Sequence, residues 1–130
     1  MLDHVIITVG DYQRSKEFYE KALKPLGYGL MEFESGSGGA FGPEGKPVFA
    51  IRQGEPHAVH VAFESPDRAT VDAFYEAATA AGGKDNGPPG LRPHYHEHYY
   101  GAFVHDPDGN NVEAVCHDRE SSPPLLESTS

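Results

Sequence analysis

The chain has 130 residues, 38% of them apolar and 23% charged, which is enough for one domain with its own core. A formal net charge of −10 excludes nucleic acid as the main partner, because phosphate binding needs a basic surface. Cys116 is the single cysteine, so no intrachain disulfide can form, and no apolar run approaches membrane-spanning length. A cytoplasmic protein with no membrane partner is expected.

Residues 2–9 are rich in Val and Ile and predict a strand. Asp11 suits a helix N-cap, and Ser15, Phe18, Tyr19, Ala22, Leu23 and Leu26 recur at helical spacing up to a stop at Gly27. Short strands are expected at 28–33, 39–42 and 47–52. The glycine-rich stretch 36–39 is a loop and lacks the following helix that a phosphate cradle needs. After Gly54-Glu55-Pro56, residues 57–64 predict another strand. Pro66-Asp67 starts a second helix whose face is Val71, Phe74, Tyr75 and Ala78, and Gly82-Gly83 ends it. A weak strand near 84–85 and a Pro/Gly-rich loop over 87–93 follow. Strands at 99–105 and 111–117 flank DPDGNN (Asp106 to Asn111), a hairpin-forming turn. From about 118 onward a Ser/Pro/Glu-rich tail is expected to be disordered.

The two halves repeat. Shifting the chain by 56 positions lays His4 on His60, Val5 on Val61, Asp11 on Asp67, Phe18-Tyr19-Glu20 on Phe74-Tyr75-Glu76 and Gly27 on Gly83. Each half reads βαβββ, with modules at 1–53 and 57–117 of one domain. The expected architecture is α+β: paired βαβββ modules forming a curved, barrel-like mixed sheet with helices outside.

Side chains alternate across a strand. Val5, Ile7 and Val9 share one face, as do Val59, Val61 and Phe63, so His4 and His60 take equivalent places on the faces no helix covers. Glu113 alternates with Val112, Ala114 and Cys116 in the last strand. A carboxylate there is costly to bury unless it is paired or bound to a cation. Two histidines and one carboxylate form a triad that leaves metal positions open for substrate or water. Taken singly, each residue has an ordinary structural reading; the equivalence of the histidines and the third acid favour the metal.

On LDHVIITV (Leu2 to Val9), SKEFYEKALKPLGY (Ser15 to Tyr28), HAVHVAFE (His57 to Glu64) and FVHDPDGNNVEAV (Phe103 to Val115), the chain resembles the vicinal oxygen chelate superfamily. This is also called the glyoxalase/bleomycin resistance/dioxygenase superfamily. The resemblance implies a divalent metal (Fe, Mn, Zn or Ni) at His4, His60 and Glu113, and a homodimer, since members of this size often complete their sites across chains. It implies a dioxygenase, lyase/isomerase or transferase acting on a small oxygen-rich substrate that the metal chelates. The alternative is a metal-free binding or resistance protein of the bleomycin-binding type.

Aligning PVFAIRQ (Pro47 to Gln53) on NVEAVCH (Asn111 to His117) puts Phe49 opposite Glu113, where glyoxalase I-like members carry a second carboxylate. Phe49 is therefore expected to line the substrate site without moving a proton. RPHYHEHYYG (Arg92 to Gly101) reads as a substrate-facing loop, with a solvated His-rich surface loop, and a surface role for Arg92, as the alternative. His96 and Tyr100 are the expected acid/base residues, and Arg92, His94 and His98 the expected substrate contacts.

Overall fold

A computed structural model describes residues 2–118. Apart from Asp118, the expected tail lies outside the described residues. The first half contains strand β1 (Val5–Val9), helix α1 (Tyr12–Ala22), a single 3₁₀ turn (Lys24–Leu26), and strands β2 (Tyr28–Glu32), β3 (Gly38–Pro43) and β4 (Phe49–Gln53). The second contains β5 (His60–Glu64), α2 (Arg68–Ala80), two-residue strands β6 (Lys84–Asp85) and β7 (Gly90–Leu91), then β8 (Tyr100–His105) and β9 (Asn111–Cys116).

The repeat predicted from sequence is a repeat in space. The first sheet has the order β1-β4-β3-β2 with β1 parallel to β4; the second has the order β5-β9-β8-β6 with β5 parallel to β9. Both sheets are otherwise antiparallel. The second half adds one strand to the expected plan, because β6 and β7 both pair with β8 on either side of Pro88-Pro89. Proline cannot donate to the ladder, so this edge is broken into two short pieces.

The helices start where their caps predict. The Asp11 carboxylate accepts from the Arg14 backbone N–H at 3.2 Å, and that of Asp67 from Thr70 at 2.8 Å. Each helix covers one face of its own sheet, and the two helices also touch each other. Phe18 and Tyr19 of α1, Phe74 and Ala78 of α2, Phe41, Phe49 and Ile51 of the first sheet, and Phe63, Val104, Val112 and Ala114 of the second form one continuous core. Burial of this apolar surface is the main favourable term in folding.

The DPDGNN turn ties the halves together. The buried Asp106 carboxylate accepts from the backbone N–H groups of Asp108 and Asn110, from the Asn110 side chain, and from the Tyr19 hydroxyl of α1. Burial and the Asp106 charge push the Tyr19 hydroxyl well above its ordinary pKa, so it stays a donor. Asn110 in turn accepts from the Val59 backbone N–H at 2.7 Å, which fixes the entry to β5. Among the described residues, no helix is long and apolar enough to cross a membrane.

Candidate functional site

With α2 on one face of the second sheet, strand alternation leaves the other face to His60 and Ala62 of β5, Glu113 of β9, and Gly101 and Phe103 of β8. The pairing registers place Ala62 beside Glu113 and Glu113 beside Phe103. Glu113 is 1% exposed, yet it is an acid among buried neighbours. Its cost is offset by two partners. His60 Nε2 lies 2.7 Å from Glu113 Oε1, and the Tyr99 hydroxyl donates to Oε2. Burial, then the hydrogen bond and charge of Glu113, hold the Tyr99 hydroxyl well above its ordinary pKa. A Cβ at position 101 would lie 3.2 Å from the Tyr99 ring and 3.4 Å from Glu113 Oε2, so Gly101 leaves the space in which tyrosine and carboxylate meet.

His4 stands elsewhere. It lies on the corresponding face of the first sheet, its Nδ1 2.9 Å from the Asp3 carboxylate and its side chain 54% exposed. It borders a groove of 370 Å³ with Ile6, Phe33, Ala40 and Ala50. Among the described residues no group of three or more His, Cys, Asp or Glu side chains is placed to hold a metal ion. The chain thus brings together two of the three expected ligands, His60 and Glu113.

The structure corrects the alignment that sets Phe49 opposite Glu113. β1 pairs Val5 with Phe49 and Ile6 with Ala50, while β5 pairs Val61 with Val112 and Ala62 with Glu113. The counterpart of Glu113 is therefore Ala50, one residue on from the sequence alignment, and a one-residue slip turns a side chain to the other face. Phe49 is 2% exposed, its ring edge-on to Tyr19 at 4.9 Å and to Phe63 at 5.1 Å. It backs the grooves beside His4 from the core side. The chemical consequence is unchanged: Ala50 supplies neither a metal ligand nor a proton.

Tyr100 is corrected in the same way. Its hydroxyl donates to Asp72 of α2 at 2.7 Å, and the Arg68 guanidinium lies 5.0 Å from its ring centroid. It faces the helix, so its neighbour Tyr99 is the tyrosine of the site. Residues 92–99 form a turn, held by bonds from Tyr95 and His96 N–H to the Arg92 carbonyl and from Tyr99 N–H to that of His96. His96 packs against His98 and His117, and His94 against Tyr95. From this segment Arg92 and Tyr95 reach the groove containing His60. Tyr95 carried no signal in the sequence beyond membership of an aromatic run.

Two similar halves, paired parallel strands and a His–Glu pair on the open face are the frame on which relatives can be compared. The family model of the Glyoxalase/Bleomycin resistance protein/Dioxygenase superfamily matches residues 1–114. The chain belongs to this superfamily. Among solved members, a glyoxalase/bleomycin resistance protein from Albidiferax ferrireducens T118 shares 29% identity with a TM-score of 0.77, over 91% of this chain and 99% of that one. An enzyme of the glyoxalase/bleomycin resistance protein/dioxygenase family from Burkholderia phytofirmans PsJN has 19% identity and a TM-score of 0.68, covering 89% and 98%. Lactoylglutathione lyase from Agrobacterium tumefaciens has 18% identity and a TM-score of 0.66, covering 89% and 92%. At these last two identities the likeness is one of fold. No functionally curated protein matches the sequence.

Proposed function

We propose that this superfamily member is a metal-dependent enzyme acting on a small oxygen-rich substrate. In this reading His60 and Glu113 of one chain and His4 of a second copy hold the metal. The observation that carries it is the His60–Glu113 pair, 2.7 Å apart with the carboxylate 1% exposed, on the same face as a groove and with His4 left exposed on the other half. The donor set fits a divalent ion: one imidazole and one carboxylate meet, and a second imidazole completes the facial arrangement. When bound, such a metal would polarise substrate oxygens and stabilise developing negative charge.

The chain's own residues prepare that chemistry. Glu113 presents Oε1 on the His60 side, while Tyr99 fixes Oε2 by donating its proton there, the orienting bond that metal-binding carboxylates commonly have. Ala50 on the first half and the helix-facing Tyr100 contribute no proton-transfer group. The dimer is supported by the exposed apolar side chains Leu2 and Ile6 near His4, which are 82% and 51% exposed. A homodimer would bring the His4 face of one copy against the His60 face of the other.

Metal content and mixing decide the matter. His4→Ala, His60→Ala and Glu113→Gln should each lower bound metal at least tenfold while the protein stays folded. Mixing equal amounts of the His4→Ala and His60→Ala proteins should restore about a quarter of the sites, because about half of the reassorted dimers are then mixed and one of the two sites in each has both histidines. Full occupancy in all three variants, or no recovery on mixing, would overturn the shared site. A metal-free binding protein is the second reading. It is favoured by the His60–Glu113 contact, in which each group already satisfies the other, and by the fact that among the described residues no third ligand joins them. Negligible metal uptake by the parent protein would favour it.

A further inference from the structure

Beside His60, on the open face of the second sheet, lies a groove of 360 Å³ lined by His60, Asn86, Arg92, Tyr95, Phe103 and Asn111. Its volume is at the small end of ligand pockets. Arg92 is the cation in it. The guanidinium lies 5.3 Å from the Phe103 ring centroid, and Nη2 donates to the Pro88 carbonyl at 2.7 Å. No carboxylate pairs with it among the described residues, and Nη1 and Nε donate to none of them.

The backbone is shaped to hold that side chain in place. A Cβ at Gly87 would lie 3.2 Å from Arg92 Nη2 and 3.1 Å from Phe103, and one at Gly90 would lie 3.1 Å from Nη1. Two glycines thus make the bed in which the guanidinium rests. The Arg92 backbone N–H donates to the Tyr99 carbonyl at 2.7 Å, which ties its root to the strand that leads to the site tyrosine. Across the groove the Asn86 amide donates to Asn111 Oδ1 at 3.2 Å, which leaves the Asn111 amide N–H groups without a partner among the described residues.

We propose that this groove binds a compact oxyanion, a carboxylate or phosphoryl group of a small molecule, with Arg92 as its charge partner and Asn111 as a second donor. The planar fork of arginine matches both groups through paired N–H donors. This deepens the reading above and rests on it in taking the His60 face as the working face: the substrate is an anion, anchored at Arg92, whose remaining oxygens reach toward His60 and Glu113. Anchoring of that kind sets the orientation of the reacting end.

The test uses the metal-free protein, so that it stands apart from the metal experiment. Inorganic phosphate and glycolate are titrated separately at low ionic strength, and the Arg92 Nε–H and Asn111 side-chain N–H signals are followed by NMR. Saturable shifts at both residues are expected with at least one anion, and the tighter of the two identifies the headgroup as phosphoryl or carboxylate. Arg92→Met should weaken binding at least tenfold. Arg92→Lys, which keeps the charge without the fork, should fall between the two and guards against loss of fold in the first variant. Absence of shifts with both anions, or binding in Arg92→Met equal to the parent, overturns the proposal even if the metal site stands. An Arg92-dependent shift in a protein that takes up no metal upholds the anion site and removes the metal.

Discussion

The two halves of this chain are built alike and equipped differently. At the same register position, β9 carries Glu113 and β4 carries Ala50. The second half gathers His60, Glu113, Tyr99 and Arg92 on its open face. The first places His4, paired with Asp3, beside Ile6, Phe33, Ala40 and Ala50. The repeat therefore extends to the scaffold, whose caps, strand order and aromatic helix faces agree, while the polar chemistry lies on one half. One face has the character of a site and the other the character of a surface to be covered.

The largest expected effect tests whether Phe49 belongs to the scaffold. Phe49→Ala removes a ring packed against Tyr19, Phe41 and Phe63 and should cost about 3–5 kcal/mol in denaturant unfolding. A loss within experimental error would contradict its packing role in the core. Next in size, Tyr99→Phe takes the donor from a buried carboxylate oxygen and should cost about 1–3 kcal/mol in the metal-free protein. Tyr100→Phe should cost less, since its partner Asp72 is exposed. The reverse order would place Tyr100 in the site.

The smallest effect compares the two helix caps. Asp67→Ala should cost about 1 kcal/mol at pH 7, and Asp11→Ala less, its capping bond being 3.2 Å against 2.8 Å. Hydrogen bonds from Thr70 hold the Asp67 carboxyl below its usual value of 3.8. A depressed folded pKa gives stability that is complete above the unfolded value and lost as pH falls through the folded one. The gap between parent and Asp67→Ala should therefore be constant near neutrality and shrink below about pH 4. A gap that grows on acidification would contradict the cap's role.

Much of the frame was legible because it rests on short-range patterns. The 56-residue repeat, the Asp11 and Asp67 caps and the DPDGNN turn are carried by neighbouring residues, and the structure reproduces each. The strand β7 was hidden because Gly87–Pro93 has the composition of a loop, and only its pairing with Gly101 and Tyr100 makes it a strand. The site was half legible. His60 and Glu113 could be placed on one face by alternation, but an alignment of the two strands one residue out of register put Phe49 opposite Glu113, and the sequence did not fix which of the adjacent Tyr99 and Tyr100 turns to the open face.

By itself the sequence determined the repeated βαβββ plan, the residue types available for chemistry and the absence of a second carboxylate on the first half. Those follow from local periodicity and from which side chains exist. Only the tertiary structure decided the register that makes Ala50 the counterpart of Glu113, the tyrosine that meets the carboxylate, the arginine that shares a groove with His60, and the separation of His4 from that pair. Each depends on which strand lies beside which and in what phase, and a shift of one residue along a pleated strand moves a side chain to the opposite face.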